Sequence, residues 1–301
     1  MILILTNKAL ASEKIQDSIR LIGHHLRARR APFSVASFHD VEIFFGEGSP
    51  RVTVSGEPIE QYSTIFPRKV GRNKALACIL ADYAERNGIT FIDRFHKNTL
   101  SRTKLVQMYL FTLHGLSIPK TYYSAIYSEA HIRNALEFIP LPLVVKQCGT
   151  SKGAGVFLVH TEQNLREKID ALLATAPSQE VLLQEFIPNT FEYRILVTGN
   201  HIASAEKKIR TNKHEFRNNV HLGAREEFIS GESTPLPVRE AAILAASVAD
   251  VQVAGVDIVE TSDGRPLVFE VNSCPAFTLD ETISPEMKSL AEYLASCEKN
   301  S

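Results

Sequence analysis

Two apolar runs late in the chain, Gly255-Val-Asp257-Ile-Val259 and Leu267-Val-Phe-Glu270-Val-Asn272, flank the turn formers Ser262-Asp-Gly264. Runs of Val, Ile and Phe around such a turn read as a β-hairpin. The hairpin carries polar groups where a buried sheet should have none. Asp257 sits inside the first strand, and Glu270 and Asn272, two apart in the second, share one face because side chains alternate along a strand. Two carboxylates and an amide among apolar neighbours are costly to bury unless something positive binds there. Three oxygen donors on adjacent strands suit Mg²⁺, which takes one or two carboxylates and completes its shell with water and phosphate oxygens. The alternative, an ordinary solvent-facing strand side, fits poorly with two otherwise apolar strands.

The rest of the chain supplies an α/β frame for this hairpin. Met1 to Leu5 reads as a buried strand, and Ile15, Ile19, Ile22 and Leu26 recur at helical spacing as one apolar stripe. Ser34 to Phe38 and Tyr62 to Pro67 read as further strands, with a hairpin or loop over Gly46 to Pro58. A helix over Lys74 to Arg86 stops at Asn87-Gly88, and Ile89 to Ile92 is a strand. This is the β-α-β alternation of a small parallel-sheet lobe. A strongly apolar helix over Ser101 to His114 opens the next portion. Strands are expected at Leu143 to Lys146, Val156 to Val159, Val181 to Glu185, Tyr193 to Val197 and Ile202 to Lys207, with a helix over Pro237 to Val248. Three lobes are expected, over residues 1–98, 99–183 and 184–301.

Composition narrows the function classes. Lys and Arg number 33 against 34 Asp and Glu in 301 residues, so no global field favours nucleic acid or an anionic membrane. No apolar stretch reaches spanning length. The cysteines at 78, 148, 274 and 297 lack Cys-x-x-Cys spacing and read as reduced thiols of a cytoplasmic protein.

Two further segments offer chemistry, with a flexible surface hairpin as the alternative for the first and a solvated cationic face for the second. In Val144-Val-Lys146-Gln-Cys-Gly149-Thr-Ser151-Lys-Gly153-Ala-Gly155, a strand ends in Lys and enters a loop of Gly and small polar residues. Such loops let backbone N–H groups approach phosphate while Lys supplies charge. The spacing is not Walker A. The run Lys207-Lys208, Arg210 and Phe216-Arg217-Asn-Asn219 gathers cations and amides suited to triphosphate oxygens. A nucleophile elbow and a His-Glu-x-x-His pattern are both missing from the sequence.

In this order, Pro67-Arg68-Lys-Val-Gly71, Lys104-Leu-Val-Gln, Pro142-Leu-Val-Val-Lys146, Gln184-Glu185-Phe-Ile187, Glu192-Tyr-Arg194, Phe216-Arg217-Asn-Asn219 and Asp257…Glu270-Val-Asn272 resemble the ATP-grasp superfamily, in its RimK-like branch of amino-acid and glutamate ligases. The resemblance implies an ATP-grasp fold: the parallel-sheet lobe followed by two lobes that clasp ATP between antiparallel sheets. It implies that Lys104, Lys146 and Lys207 meet ATP phosphates under the loop carrying Gly149, Ser151, Gly153 and Gly155. Gln184, Glu185, Phe186 and Ile187 would read adenine, and Glu192 the ribose. Arg194 would face the acceptor carboxylate, Arg217 and Asn219 the triphosphate, and Asp257, Glu270 and Asn272 two Mg²⁺ or Mn²⁺ ions. The implied reaction phosphorylates a small-molecule or peptide carboxylate and couples it to an amine. Dimers and tetramers are common in the family, so a homo-oligomer belongs to the expectations. After Asn272 the family's Ser-Pro-Gly turn is replaced by Ser273-Cys-Pro275-Ala276. The alternatives are a kinase on the same fold, separable by its phosphorylated product, and a non-catalytic nucleotide-binding module, against which the full set of cations and acids counts.

Overall fold

A computed structural model describes residues 1–7, 13–46, 50–97, 103–150, 154–176, 178–212, 215–218 and 222–299. Its first part runs β1 (Ile2–Thr6), α1 (Glu13–Ala28), β2 (Phe33–Ser37), β3 (Val41–Phe44), β4 (Arg51–Val54), β5 (Glu57–Pro58), β6 (Thr64–Pro67), α2 (Lys74–Arg86) and β7 (Thr90–Phe91). β1, β2, β6 and β7 form a parallel sheet in the order β2-β1-β6-β7. Every residue of β1 is buried, which explains an unbroken apolar run in place of alternation. The region read as a hairpin or loop pairs β3, β4 and β5 in an antiparallel ribbon. α2 begins and ends where its spacing predicts, with Ala77, Leu80, Ala81 and Ala84 buried.

The second part runs α3 (Lys104–Leu113), β8 (Thr121–Tyr123), α4 (Glu129–Phe138), β9 (Leu143–Gln147), β10 (Val156–Val159), α5 (Glu162–Thr175) and β11 (Val181–Glu185). The strands form an antiparallel sheet ordered β10-β9-β11-β8. Leu143, Val145 and Leu183 join Ile132, Leu165 and Ile169 of the two helices in a core of their own. Side-chain alternation then turns Val144, Lys146 and Gln184 to the uncovered face. Residues 184 and 185 complete β11, so this sheet extends past the expected lobe boundary.

The third part runs β12 (Phe191–Thr198), β13 (His201–Ile209), β14 (Arg225–Ile229), α6 (Leu236–Val248), β15 (Val253–Glu260), β16 (Pro266–Asn272) and α7 (Glu286–Lys299). Its five strands form an antiparallel sheet ordered β14-β13-β12-β15-β16. Tyr193, Ile195, Val197, Ala205, Val256, Ile258 and Val271 pack on α6 and α3. Glu192, Arg194, Glu206, Lys208 and Asp257 therefore fall on the other face. α7 does not rest on this sheet alone: Met287, Leu290 and Leu294 share a core with Ile2 and Ile4 of β1, Ile22 and Leu26 of α1, and Leu196 and Val253. Each such fully buried aliphatic side chain contributes roughly 1.5–3 kcal/mol. The C-terminal helix thus welds the parallel-sheet lobe to the five-stranded sheet.

Candidate active site

The free face of the β10-β9-β11-β8 sheet looks onto β15 and β16 across a cleft of about 850 Å³, lined by residues of both sheets and of the 215–218 segment. Lys104, Lys146, Glu185, Phe186, Ile187, Glu192, Arg217, Asp257 and Glu270, all named from the sequence, line it together.

At its acidic end the hairpin register sets Asp257 opposite Glu270 and Gly255 opposite Asn272. A bulge shifts the register between Asp257 and Ile258, and bulges beside sites re-aim side chains. Here both Phe269 and Glu270 line the cleft. Asn272 Nδ2 donates to Asp257 Oδ2 at 3.2 Å. Arg194, cross-strand from Asp257, grips it in a two-pronged fork, Nε to Oδ1 at 2.5 Å and Nη2 to Oδ2 at 2.8 Å. Lys208 Nζ adds a third cationic contact to Oδ1 at 3.3 Å and reaches Glu192 Oε1 at 3.4 Å. Burial alone would raise the Asp257 carboxyl, but Arg194 and Lys208 outweigh it and hold it below the usual carboxylate range. Burial raises the Glu192 carboxyl. Glu270 forms an ion pair with Lys104.

The donor chemistry fits a hard divalent ion. Among the described residues no three His, Cys, Asp or Glu gather at metal-binding distance. Two carboxylates on paired strands, with an amide beside them, match the one or two carboxylates that Mg²⁺ takes from a protein. The cationic side chains now on Asp257 and Glu270 show that this end calls for positive charge.

Lys146 and Lys104 line the cleft above the hairpin. Lys146 hydrogen-bonds Gln184 and lies 4.8 Å from the Phe269 ring centroid. Burial, then repulsion from Lys104, pushes its ammonium down to about 8. Two close cations, one with its charged form disfavoured by burial, fit a polyphosphate. Gly149 and Gly155 take φ of +78° and +70°, and a Cβ at Gly155 would stand 2.8 Å from the Gln147 side chain. Glycine is therefore required where the loop re-enters β10. Ser151, Gly153 and Asn219 lie outside the described residues.

One expected residue, Lys207, stands elsewhere. Lys207 pairs cross-strand with Tyr193, and its ammonium lies over the rings of Phe191 and Tyr193, 4.9 and 5.6 Å from their centroids. It belongs to the α6 side of the sheet, and strand alternation gives the cleft face to Lys208. Arg194 stands on the cleft face, with its fork on Asp257. Arg217 reaches the cleft with its guanidinium on Glu215, at 2.8 Å from Nε and 2.7 Å from Nη2. Gln184 keeps its side chain within the sheet, donating to Thr121 Oγ1 at 2.9 Å. Asn189 and Phe269 are cleft residues that the sequence reading gave no role, and Lys208 and Asn218 stood in its cationic run without individual assignments. Asn218 is 4% exposed, and its Oδ1 has no partner among the described residues. The signal for Lys208 was present in the register that pairs it with Glu192.

A family model described as a RimK-like ATP-grasp domain matches residues 101–289. A protein of Stutzerimonas stutzeri (strain A1501) named probable alpha-L-glutamate ligase is 30% identical over 256 residues, 83% of this chain and 81% of that protein. One of the same name from Vibrio atlanticus (strain LGP32) is 28% identical over 237 residues, 78% of this chain and 76% of that one. Among solved structures, the ATP-grasp ligase PsnB complexed with precursor peptide PsnA2 and AMPPNP matches with a TM-score of 0.73 at 17% identity, over 99% of this chain and 97% of that chain. D-alanyl-alanine synthetase A from Vibrio cholerae O1 biovar eltor matches with a TM-score of 0.68 at 16% identity, over 100% of this chain and 98% of that one. At such identities the structural likeness speaks for the fold, and the sequence matches speak for descent. On both counts, with its acids and cations gathered in one cleft, the chain belongs to the RimK-like ATP-grasp family of ATP-dependent ligases.

Proposed function

We propose that the protein uses ATP to phosphorylate a carboxylate and then couples it to the amine of an amino acid, on a small-molecule or peptide acceptor. The observation that carries this reading is the meeting of Asp257, Glu270 and Asn272 with Lys104, Lys146 and Arg217 around one cleft. Lys104 and Lys146 neutralise the β- and γ-phosphates of ATP. The strand from Gln184 to Ile187 holds adenine chiefly through its backbone, and Glu192 takes the ribose hydroxyls. Asp257, Glu270 and the Asn272 amide would hold Mg²⁺ or Mn²⁺, two ions in all, which supply charge neutralisation at the transferring phosphoryl group. An acceptor carboxylate oxygen attacks the γ-phosphorus, the bond to ADP breaks, and an acyl phosphate results. The amine nitrogen then attacks the acyl carbon, phosphate leaves, and the nitrogen gives up a proton as the amide forms. The Gly149–Gly155 loop closes over the phosphates and keeps water from the acyl phosphate.

The relatives' name points to glutamate as the amine donor, and a precursor peptide bound to PsnB points to a peptide acceptor. The segment 273–276, which departs from the family pattern, borders the acceptor side and sets this chain's own choice. The lobes of residues 1–98, 99–183 and 184–301, a cytoplasmic setting for the four free cysteines and assembly as a homo-oligomer complete the proposal. Among the described residues no helix is long and apolar enough to cross a membrane. The test is an ADP-release screen across amino acids and short acidic peptides, read by mass spectrometry. Amine-dependent ADP release with a new amide supports ligation. A stable phosphorylated product without amine would identify a kinase and overturn the reading.

A further inference from the structure

Arg68 follows β6 into the junction between the parallel sheet and the loop that continues β16. Its backbone N–H donates to Leu5 O at 2.8 Å, tying it to β1. For a cation it is deeply buried, at 3% exposure. Its Nη1 donates to Cys274 Sγ at 2.9 Å and its Nη2 to Pro275 O at 3.1 Å. The Cys274 thiol donates back to Arg68 O at 3.0 Å, and the guanidinium lies 4.5 Å from the Phe277 ring centroid. Its Nε has no partner among the described residues. A buried guanidinium held by a thiol and a carbonyl is an expensive way to fasten a loop, since burying a charge costs heavily unless it is well paired.

The position of that loop explains the expense. Cys274 stands two residues beyond Asn272. Pro275 packs over Gly255, the strand partner of Asn272: a Cβ there would lie 2.8 Å from Pro275 Cβ and 3.3 Å from Arg194 Nη1. Arg194 in turn forks Asp257. A shift of Pro275 is therefore felt by Asn272 through the backbone and by the Asp257 carboxylate through Arg194.

We propose that Arg68 is a positioning residue by which the N-terminal lobe sets the cation-binding geometry of Asp257 and Asn272, acting through the Cys274–Pro275 loop. The proposal rests on the metal assignment under the function above. Outer partners that orient metal ligands typically change affinity 10–100-fold when removed. Arg68→Gln, Arg68→Lys, Cys274→Ala and Cys274→Ser are compared with wild type and Asp257→Asn by calorimetric titration of Mg²⁺ into the ADP-bound protein. ADP affinity without Mg²⁺ and thermal stability are measured alongside. The Mg²⁺ dissociation constant should rise about tenfold in Arg68→Gln, less in Arg68→Lys, and more in Cys274→Ala than in Cys274→Ser, whose hydroxyl retains both hydrogen bonds. ADP affinity without Mg²⁺ should stay at the wild-type value, because Lys104, Lys146 and β11 do not touch this junction. If Arg68→Gln fails to fold, Arg68→Lys and Cys274→Ala decide. Wild-type Mg²⁺ affinity in both of those overturns the proposal while leaving the function standing. Wild-type Mg²⁺ affinity in Asp257→Asn instead overturns the metal assignment beneath it.

Discussion

Lys146 offers the sharpest test of the phosphate end of the cleft. Its ammonium, pushed down to about 8 chiefly by burial and then by Lys104, is charged in about nine-tenths of free molecules near pH 7 and in about one-tenth near pH 9. Polyphosphate oxygens favour the charged form, since charge-assisted hydrogen bonds are the strong ones. ADP affinity should be nearly flat below about pH 7.5 and then fall, approaching tenfold per unit well above pH 8. The sign of the linkage follows from the same shift. The nucleotide raises a depressed ammonium back toward its ordinary value, so binding takes up nearly one proton near pH 9 and about a tenth of one near pH 7. Nucleotide phosphates, with a last pKa near 6, are about nine-tenths ionised near pH 7 and fully so near pH 9, where the uptake is read. Calorimetry in buffers of differing ionisation enthalpy reads the uptake directly. Lys146→Arg keeps its charge throughout and should flatten the profile, whereas Lys146→Ala should bind weakly at every pH. A wild-type profile as flat as that of Lys146→Arg, with no proton taken up near pH 9, would refute the assignment of Lys146 to phosphate.

Glu270→Gln and Asp257→Asn should each lower Mg²⁺-dependent ADP release by about a hundredfold or more with circular dichroism unchanged; full turnover in both would exclude the metal assignment. Gly255→Ala, whose new methyl must displace Pro275 and Arg194, should cost about 1–3 kcal/mol in urea denaturation, and a neutral effect would show that the loop yields freely. Burial, against the pull of Lys208 and with Glu226 adding to it, raises the Glu206 carboxyl to about 8. A raised folded value removes stability as pH rises from about 4.3 through about 8. Glu206→Gln should thus gain about 1–3 kcal/mol above that window and little near its lower edge, and equal Tm differences at both ends would contradict this.

The sequence disclosed the local parts of this molecule better than their facing. α2 is legible because Ala77, Leu80, Ala81 and Ala84 form one stripe with a Gly stop behind it, and the β15–β16 hairpin because its turn and its strands agree. The choice between Lys207 and Lys208 is different in kind. Both stand in one cationic run, and only the pairing of Lys208 with Glu192 and of Lys207 with Tyr193 decides which faces the cleft. Arg194 and Asp257 are 63 residues apart, and no short-range pattern announces that one grips the other. β14, with the sequence Arg-Glu-Glu-Phe-Ile, is an edge strand lacking apolar alternation. α7 lies beyond the elements read from the sequence, and its seat against β1 and α1 is a tertiary choice. Arg68 shows the same limit: its motif is visible, and its hold on Cys274 is not.

The sheet bearing Lys146 has a core drawn wholly from residues 122–183, whereas α7 fuses the remaining lobes through Ile2, Leu196 and Leu290. Among the described residues, no buried apolar cluster spans the jaws of the cleft. Across it Lys146 lies over Phe269, Gln184 reaches Met108 of α3, and the rings of Phe186 and Phe216 stand 6.3 Å apart. Substrate entry can rearrange the molecule while leaving both interiors dry, and the nucleotide itself becomes the principal mortar between two bricks that were each fired separately.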